Sequence, residues 1–107
     1  MNMNLNDYSD PEIVLYRAKF YFGEDVKLLQ STRKTKKYMI YNPITNKFVH
    51  FGAMGYLDYT KYVQLYDLET ANKHRTKYLK RALKIKGNWI NNQYSPNYLS
   101  LLLLWDL

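Results

Sequence analysis

A chain of 107 residues that is 47% hydrophobic and 17% aromatic can bury one modest core and has no room for a second. The absence of cysteine excludes a disulfide framework, a thiolate zinc cluster and a cysteine nucleophile, and the longest apolar run, "LSLLLLWDL", falls far short of the roughly 20 residues that cross a bilayer. The net charge of +7 is uneven: residues 1–32 carry five acids against three bases, residues 33–86 carry thirteen bases against three acids, and the remainder adds only Asp106.

A middle segment with that excess attracts polyanions, phosphates or acidic protein surfaces, and composition alone does not choose among them. The polar opening "MNMNLNDYSD" lacks the charged-then-apolar plan of a secretory signal. The expectation is a soluble, unsecreted single domain over 1–107, with residues 1–8 as an N-terminal arm.

The first element is announced by "SDPE". Ser9 is the expected cap, Glu12 reaches back to it, and Pro11 is tolerated in the first turn. The spacing predicts a helix over about 10–22 that buries Ile13, Tyr16 and Phe20, with Val14 and Tyr21 as further candidates, and stops at Gly23. The β-branched and aromatic content of the same run leaves a strand open as the alternative.

Beyond Gly23 the apolar period changes to two. "VKLLQ" and the alternating "YMIYNPITNKFVHFG", with "NPITN" as turn chemistry, predict a three-stranded antiparallel sheet over about 26–51. A helix follows from about 68 to 86, with Ala71, Tyr78, Ala82 and Ile85, supported by Leu79 and Leu83, as its buried stripe. A last helix over about 96–105 is capped by Ser95 with Pro96 as its first residue. The fold class expected is therefore α+β, a small sheet covered by flanking helices, with Tyr78, Ala82, Leu83, Trp89 and Trp105 largely buried.

Two features carry candidate function. Lys73, Lys77, Lys80 and Lys84 recur at helical spacing on one face with Arg81 beside them, and "RKTKK" contributes Arg33, Lys34, Lys36 and Lys37. Either these are solvated faces, or together they form a patch for phosphate backbones or an acidic partner. Tyr56, Tyr59 and Tyr62, then Tyr66, either stack on unpaired bases or serve packing and protein contact. Catalysis is not expected: His50 and His74 have no partner at metal-ligand spacing, and "FGAMG" is no phosphate-cradling loop.

The order "KKYMIYNPITNKFVHFGAMGYLDYT", "KHRTKYLKRA", "GNW", "SPNYLSLLLLW" resembles a family of small, basic, uncharacterised proteins encoded by nucleocytoplasmic large DNA viruses. The resemblance covers residues 36–105. It rests most specifically on Phe51-Gly52, Gly55, Asp58-Tyr59-Thr60, Arg75, Tyr78, Arg81, Trp89 and Leu104-Trp105. The chain departs from the pattern at Ala82, where a histidine is expected, and in an insertion around "KYVQLYDL". The resemblance implies a viral setting rather than a reaction.

The function expected from residues and resemblance together is a non-enzymatic virion protein, a minor capsid or internal component. Its neighbours would be other virion or capsid proteins, met through Tyr56, Tyr59, Tyr62, Tyr98, Leu101 and Trp105. Its place would be the virion, and the host cytoplasm or nucleus during infection. Nucleic acid bound through the lysine stripe is the alternative. No cofactor, metal or small-molecule substrate is expected. Gly52 and Gly55 are expected at positive φ, and Asp58 to bond the amides of its own turn, so that "VHFGAMGYLDYTKY" is a corner of the fold.

Overall fold

A computed structural model describes residues 3–106. The elements in order are α1 (Pro11–Phe22), β1 (Leu28–Gln30), β2 (Lys36–Asn42), β3 (Lys47–Ala53), α2 (Tyr59–Leu65), α3 (Leu68–Leu83) and α4 (Pro96–Leu99), with a π-helical turn at Ser100–Leu104 continuing α4. The strands form one antiparallel sheet in the order β1-β2-β3, so the α+β expectation holds. Among the described residues no helix is long and apolar enough to cross a membrane.

The sheet is built by its turn. Asn42 accepts the Ile44 amide at 3.0 Å and the Asn46 amide closes on the Asn42 carbonyl at 2.8 Å, with Asn46 itself at φ 57. Asparagine tolerates that left-handed position better than most residues. The register that follows sets Tyr38 opposite Phe51 and Ile40 opposite Val49. Tyr38, Ile40 and Phe51 are sealed from solvent, with the Tyr38 and Phe51 rings 5.8 Å apart.

The lid over this apolar face comes from two distant parts of the chain. Val14 and Ala18 of α1, Leu99 of α4, and Leu103 and Leu104 of the π-helical turn are all nearly inaccessible. Each fully buried aliphatic side chain contributes about 1.5 to 3 kcal/mol, so this lid is a large share of what holds the domain together. Leu5, from the short 3-10 turn Leu5–Asp7, is buried in the same core; residues 1 and 2 of the expected arm lie outside the described residues.

Three expectations about the helices are corrected. In α1 the buried face is Val14 and Ala18, whereas Tyr16 and Phe20 are exposed at 73% and 74% and Tyr21 is exposed as well. The small side chains let the helix approach the C-terminal segment closely, where Arg17 donates to the Leu103 carbonyl at 3.0 Å; a stripe of bulky rings would hold it away. The cap is Asp10, whose carboxylate accepts the Glu12 and Ile13 amides, while Ser9 turns inward.

In α3 the stripe Ala71 and Ala82 is buried and Tyr78 half-buried, but Leu83, one residue round the helix from Ala82, is exposed, as is Ile85 beyond the helix end. Trp89 is half-buried, and its indole N–H donates to the Ile85 carbonyl at 2.8 Å. The third correction is α2, a helix where none was expected, which packs against α3 through Tyr59 and Tyr62.

Candidate functional site

The corner and the groove beside it are built from the same few residues. At the end of β3, Gly52 and Gly55 take φ +80 and +94, as expected. Gly52 is also packed tightly: a Cβ there would lie 2.8 Å from Leu104 Cδ1 and 3.3 Å from Lys37 Cβ. The turn brings Asp58 beneath the sheet. Its side chain does not cap its own turn, contrary to expectation; instead it accepts from Lys37 Nζ at 3.3 Å and from the Thr60 hydroxyl.

That hydroxyl in turn accepts the Asp10 amide at 2.9 Å, and the Asp58 amide donates to the Tyr8 carbonyl at 3.1 Å. Ser9, whose hydroxyl sits 3.5 Å from that of Thr60, accepts the Tyr38 phenol at 2.7 Å. Five buried polar side chains thus join the N-terminal segment, β2 and the start of α2, and among the described residues no buried side-chain polar atom lacks a partner.

Burial sets the protonation behaviour of this network. Desolvation pushes the Lys37 ammonium below its ordinary value of 10.5, and the attraction and hydrogen bond of Asp58 only partly offset it. Desolvation likewise pushes the Tyr38 phenol upward, with the Ser9 hydrogen bond opposing. Lys37 is therefore removed from the expected basic patch: its side chain is 3% exposed and is spent on a buried ion pair.

Above the corner, between the β3 end, α3 and α4, lies an open groove of about 920 Å³. Its floor is aromatic. The Tyr62 ring stacks on His74 at 4.2 Å, and Tyr78 stacks on Trp105 at 4.4 Å, with interplanar angles of 11° and 9°. Burial pushes the phenols of Tyr62 and Tyr78 upward, so both are neutral at physiological pH. Its rim is cationic: Lys77 and Lys80 line it from α3, and the Arg81 guanidinium stands 5.7 Å from the Tyr78 ring centre. No carboxylate lines the groove among the described residues. Tyr56, 73% exposed, stands at its edge.

The remaining expected residues divide plainly. Lys77, Lys80 and Arg81 meet at the groove. Lys73 is exposed and lies 3.6 Å from Glu69 one turn away, a pairing worth a few tenths of a kcal/mol, and Lys84 is exposed past the helix end. Arg33 and Lys36 bear instead on His50, whose imidazole is held below its ordinary value by desolvation and then by those two cations; Lys34 is exposed.

The aromatic interface is corrected in three places. Tyr59, Leu101 and Trp105 are buried at 8%, 9% and 7% exposure: the residues after Pro96 close the core rather than face outward, and Tyr59 is held against α3 by Asn72 and Arg75. Tyr62 and Tyr98 are half-buried, which leaves Tyr56 as the exposed member.

Two arrangements were not anticipated from sequence. The Ser31 hydroxyl lies 2.7 Å from His50 Nδ1 and also accepts the Arg33 amide, and the charges acting on His50 are the cations Arg33 and Lys36. Asp106 approaches Arg17 at 3.8 Å and Arg75 at 4.0 Å, while Arg75 lies over the Tyr59 ring at 4.5 Å, tying residues 105–106 to α1 and α3. Among the described residues no three His, Cys, Asp or Glu side chains gather where a metal ion could be held.

No curated protein and no solved structure matches the chain. Residues 26–61 match the model of a family of unknown function, DUF5754, a segment that spans the three strands, both corner glycines, Asp58 and Thr60, and stops short of α3.

Proposed function

We propose that this protein binds nucleic acid, engaging the phosphate backbone through the exposed cations of α3, and that binding rather than catalysis is its task. The observation that carries this reading is the concentration of Lys77, Lys80 and Arg81 at a groove that, among the described residues, is lined by no carboxylate, with Lys73 extending the same helix face and Lys84 exposed just past its end. At 1.5 Å rise per residue Lys73, Lys77 and Lys80 are spaced about 4.5 to 6 Å along the axis and, with Arg81, make a row of charges suited to successive phosphates.

Binding of this kind is governed by released counterions. Four phosphate contacts predict a slope of log affinity against log salt near −3 to −4. The test is electrophoretic or anisotropy titration at several salt concentrations, with Lys77 and Lys80 reversed to glutamate in a second protein. Retention lost in the variant and steep salt dependence in the parent support the proposal. Affinity that is flat with salt, or unchanged in the variant, overturns it.

A second reading, a structural protein of a virion that contacts capsid or other virion proteins, is favoured by one observation. Tyr16, Phe20 and Tyr21 present an exposed aromatic surface on α1, with Phe20 and Tyr21 edge to face at 5.0 Å. Large aromatic rings left in water at this density are characteristic of protein contact surfaces. Its test is the protein's presence in purified, nuclease-treated particles and loss of incorporation when Tyr16 and Phe20 are replaced by serine. Absence from such particles removes this reading.

A further inference from the structure

We infer that the groove beside α3 takes single-stranded nucleic acid, with an unpaired base stacked on Tyr56 and the flanking phosphates on Lys77, Lys80 and Arg81. This rests on the nucleic-acid reading above and narrows it from a charged helix face to one strand form.

The geometry favours a single strand on two counts. The row of lysines by itself serves any polyanion, duplex included, because phosphate contacts carry no information about the bases. The groove adds aromatic surface at the same place. The floor rings are already paired, Tyr62 with His74 and Tyr78 with Trp105, and they make a rigid apolar bottom. Tyr56 is different: it lines the groove, is 73% exposed, and among the described residues stacks on no other ring.

A duplex keeps its base faces inside its own stack and can make no use of such a ring. An unpaired base has a free π-face, and stacking on tyrosine is sequence-tolerant for that reason. The neutral floor phenols add no charge to oppose the strand, and the absence of a lining carboxylate among the described residues removes the repulsion that surfaces avoiding nucleic acid employ.

The experiment compares labelled oligothymidylate and oligouridylate of about 15 nucleotides with a blunt duplex of the same length, against the parent chain and the variants Tyr56→Ala, Tyr56→Phe and Lys80→Glu. Thermal melting checks that each variant is folded. Expected are tighter binding of at least one single strand than of the duplex, a loss of about fivefold or more in Tyr56→Ala, retention in Tyr56→Phe, and loss on all probes in Lys80→Glu. Equal affinity for strand and duplex, or a single-strand preference untouched in folded Tyr56→Ala, overturns the assignment to this groove while leaving the backbone-binding reading standing. No binding to any probe overturns both.

Discussion

Lys37 and Lys80 are the same residue type about 40 positions apart, and they mark two regions with opposite logic. At the corner, Lys37 is 3% exposed and paired with Asp58, whose other carboxylate oxygen accepts from the Thr60 hydroxyl. On α3, Lys80 is exposed at the mouth of a groove among cations. A buried charge is held by its partner and serves the fold; an exposed row of like charges weakens its own helix slightly and leaves its charges free to meet a partner. Position along the chain gives no hint of which role a lysine plays, whereas desolvation decides it.

The sharpest way to break this contrast is to remove Asp58. Asp58→Ala leaves the Lys37 ammonium buried without a counter-charge and should cost about 3 to 5 kcal/mol, read as a lowered denaturation midpoint. Replacing both partners with apolar residues, Lys37→Met with Asp58→Leu, should recover much of that loss. A single Asp58 variant as stable as the parent would show that the pair does not organise the corner.

Next in size is Gly52→Val. Positive φ and a Cβ 2.8 Å from Leu104 predict a loss of about 1 to 3 kcal/mol or more, measured by thermal melting.

The pH dependence sharpens the contrast further, because burial shifts the titration of Lys37 at the corner. Lys37 has its folded value lowered below 10.5, so between that lowered value and 10.5 the unfolded chain binds more protons and, on this account, stability rises with pH. Tyr38, Tyr62, Tyr78 and Tyr94 are raised by burial, so the unfolded phenols ionise first and stability falls above about pH 10. Melting temperature against pH should therefore climb on the approach to pH 10.5, a climb that the phenols oppose above about pH 10. In Lys37→Met the climb should vanish while the fall from the phenols remains.

The smallest expected effect lies on α3. Lys80→Glu should change stability by no more than about 0.5 kcal/mol while abolishing polyanion retention. A large stability loss there would mean that the lysine face has a structural role after all.

Much of the frame was legible beforehand, and the failures have identifiable causes. The hairpin was readable because alternation and "NPITN" agree, and α3 because Ala71, Tyr78 and Ala82 recur at helical spacing; in the structure Asp67 caps it, its carboxylate accepting the Thr70 amide at 2.7 Å. The face of α1 was misread because Tyr16 and Phe20 outweigh Val14 and Ala18 in any count of hydrophobicity, whereas close approach to the Leu103 carbonyl rewards small side chains.

Helix α2 was missed because "YTKYVQL" is rich in aromatic and β-branched residues, and its position depends on Thr60 meeting Ser9 from fifty residues away. Lys37 was indistinguishable from its neighbours in "RKTKK". Alternation with Tyr38 and Ile40 placed it on the other face of the sheet, but only the fold of the corner brings Asp58 to that side. At the groove, the cations were legible from helical spacing; the floor was not, since Tyr62, His74, Tyr78 and Trp105 come from three separate elements.

The composition of the lid has a consequence for how the protein is made. A chain leaving the ribosome N-terminus first can pair all three strands once residues up to about 53 are out. Tyr38, Ile40 and Phe51 then still lack the part of their lid that Leu99, Leu103 and Leu104 supply, with only the small side chains of α1 at hand. At roughly 5 to 20 residues per second the wait lasts a few seconds, long on the scale of hairpin formation and of encounters between nascent chains. For that interval the sheet is a sticky intermediate, and chaperone capture during translation should depend on the apolar residues of β2 and β3 far more than on the basic helix that follows them.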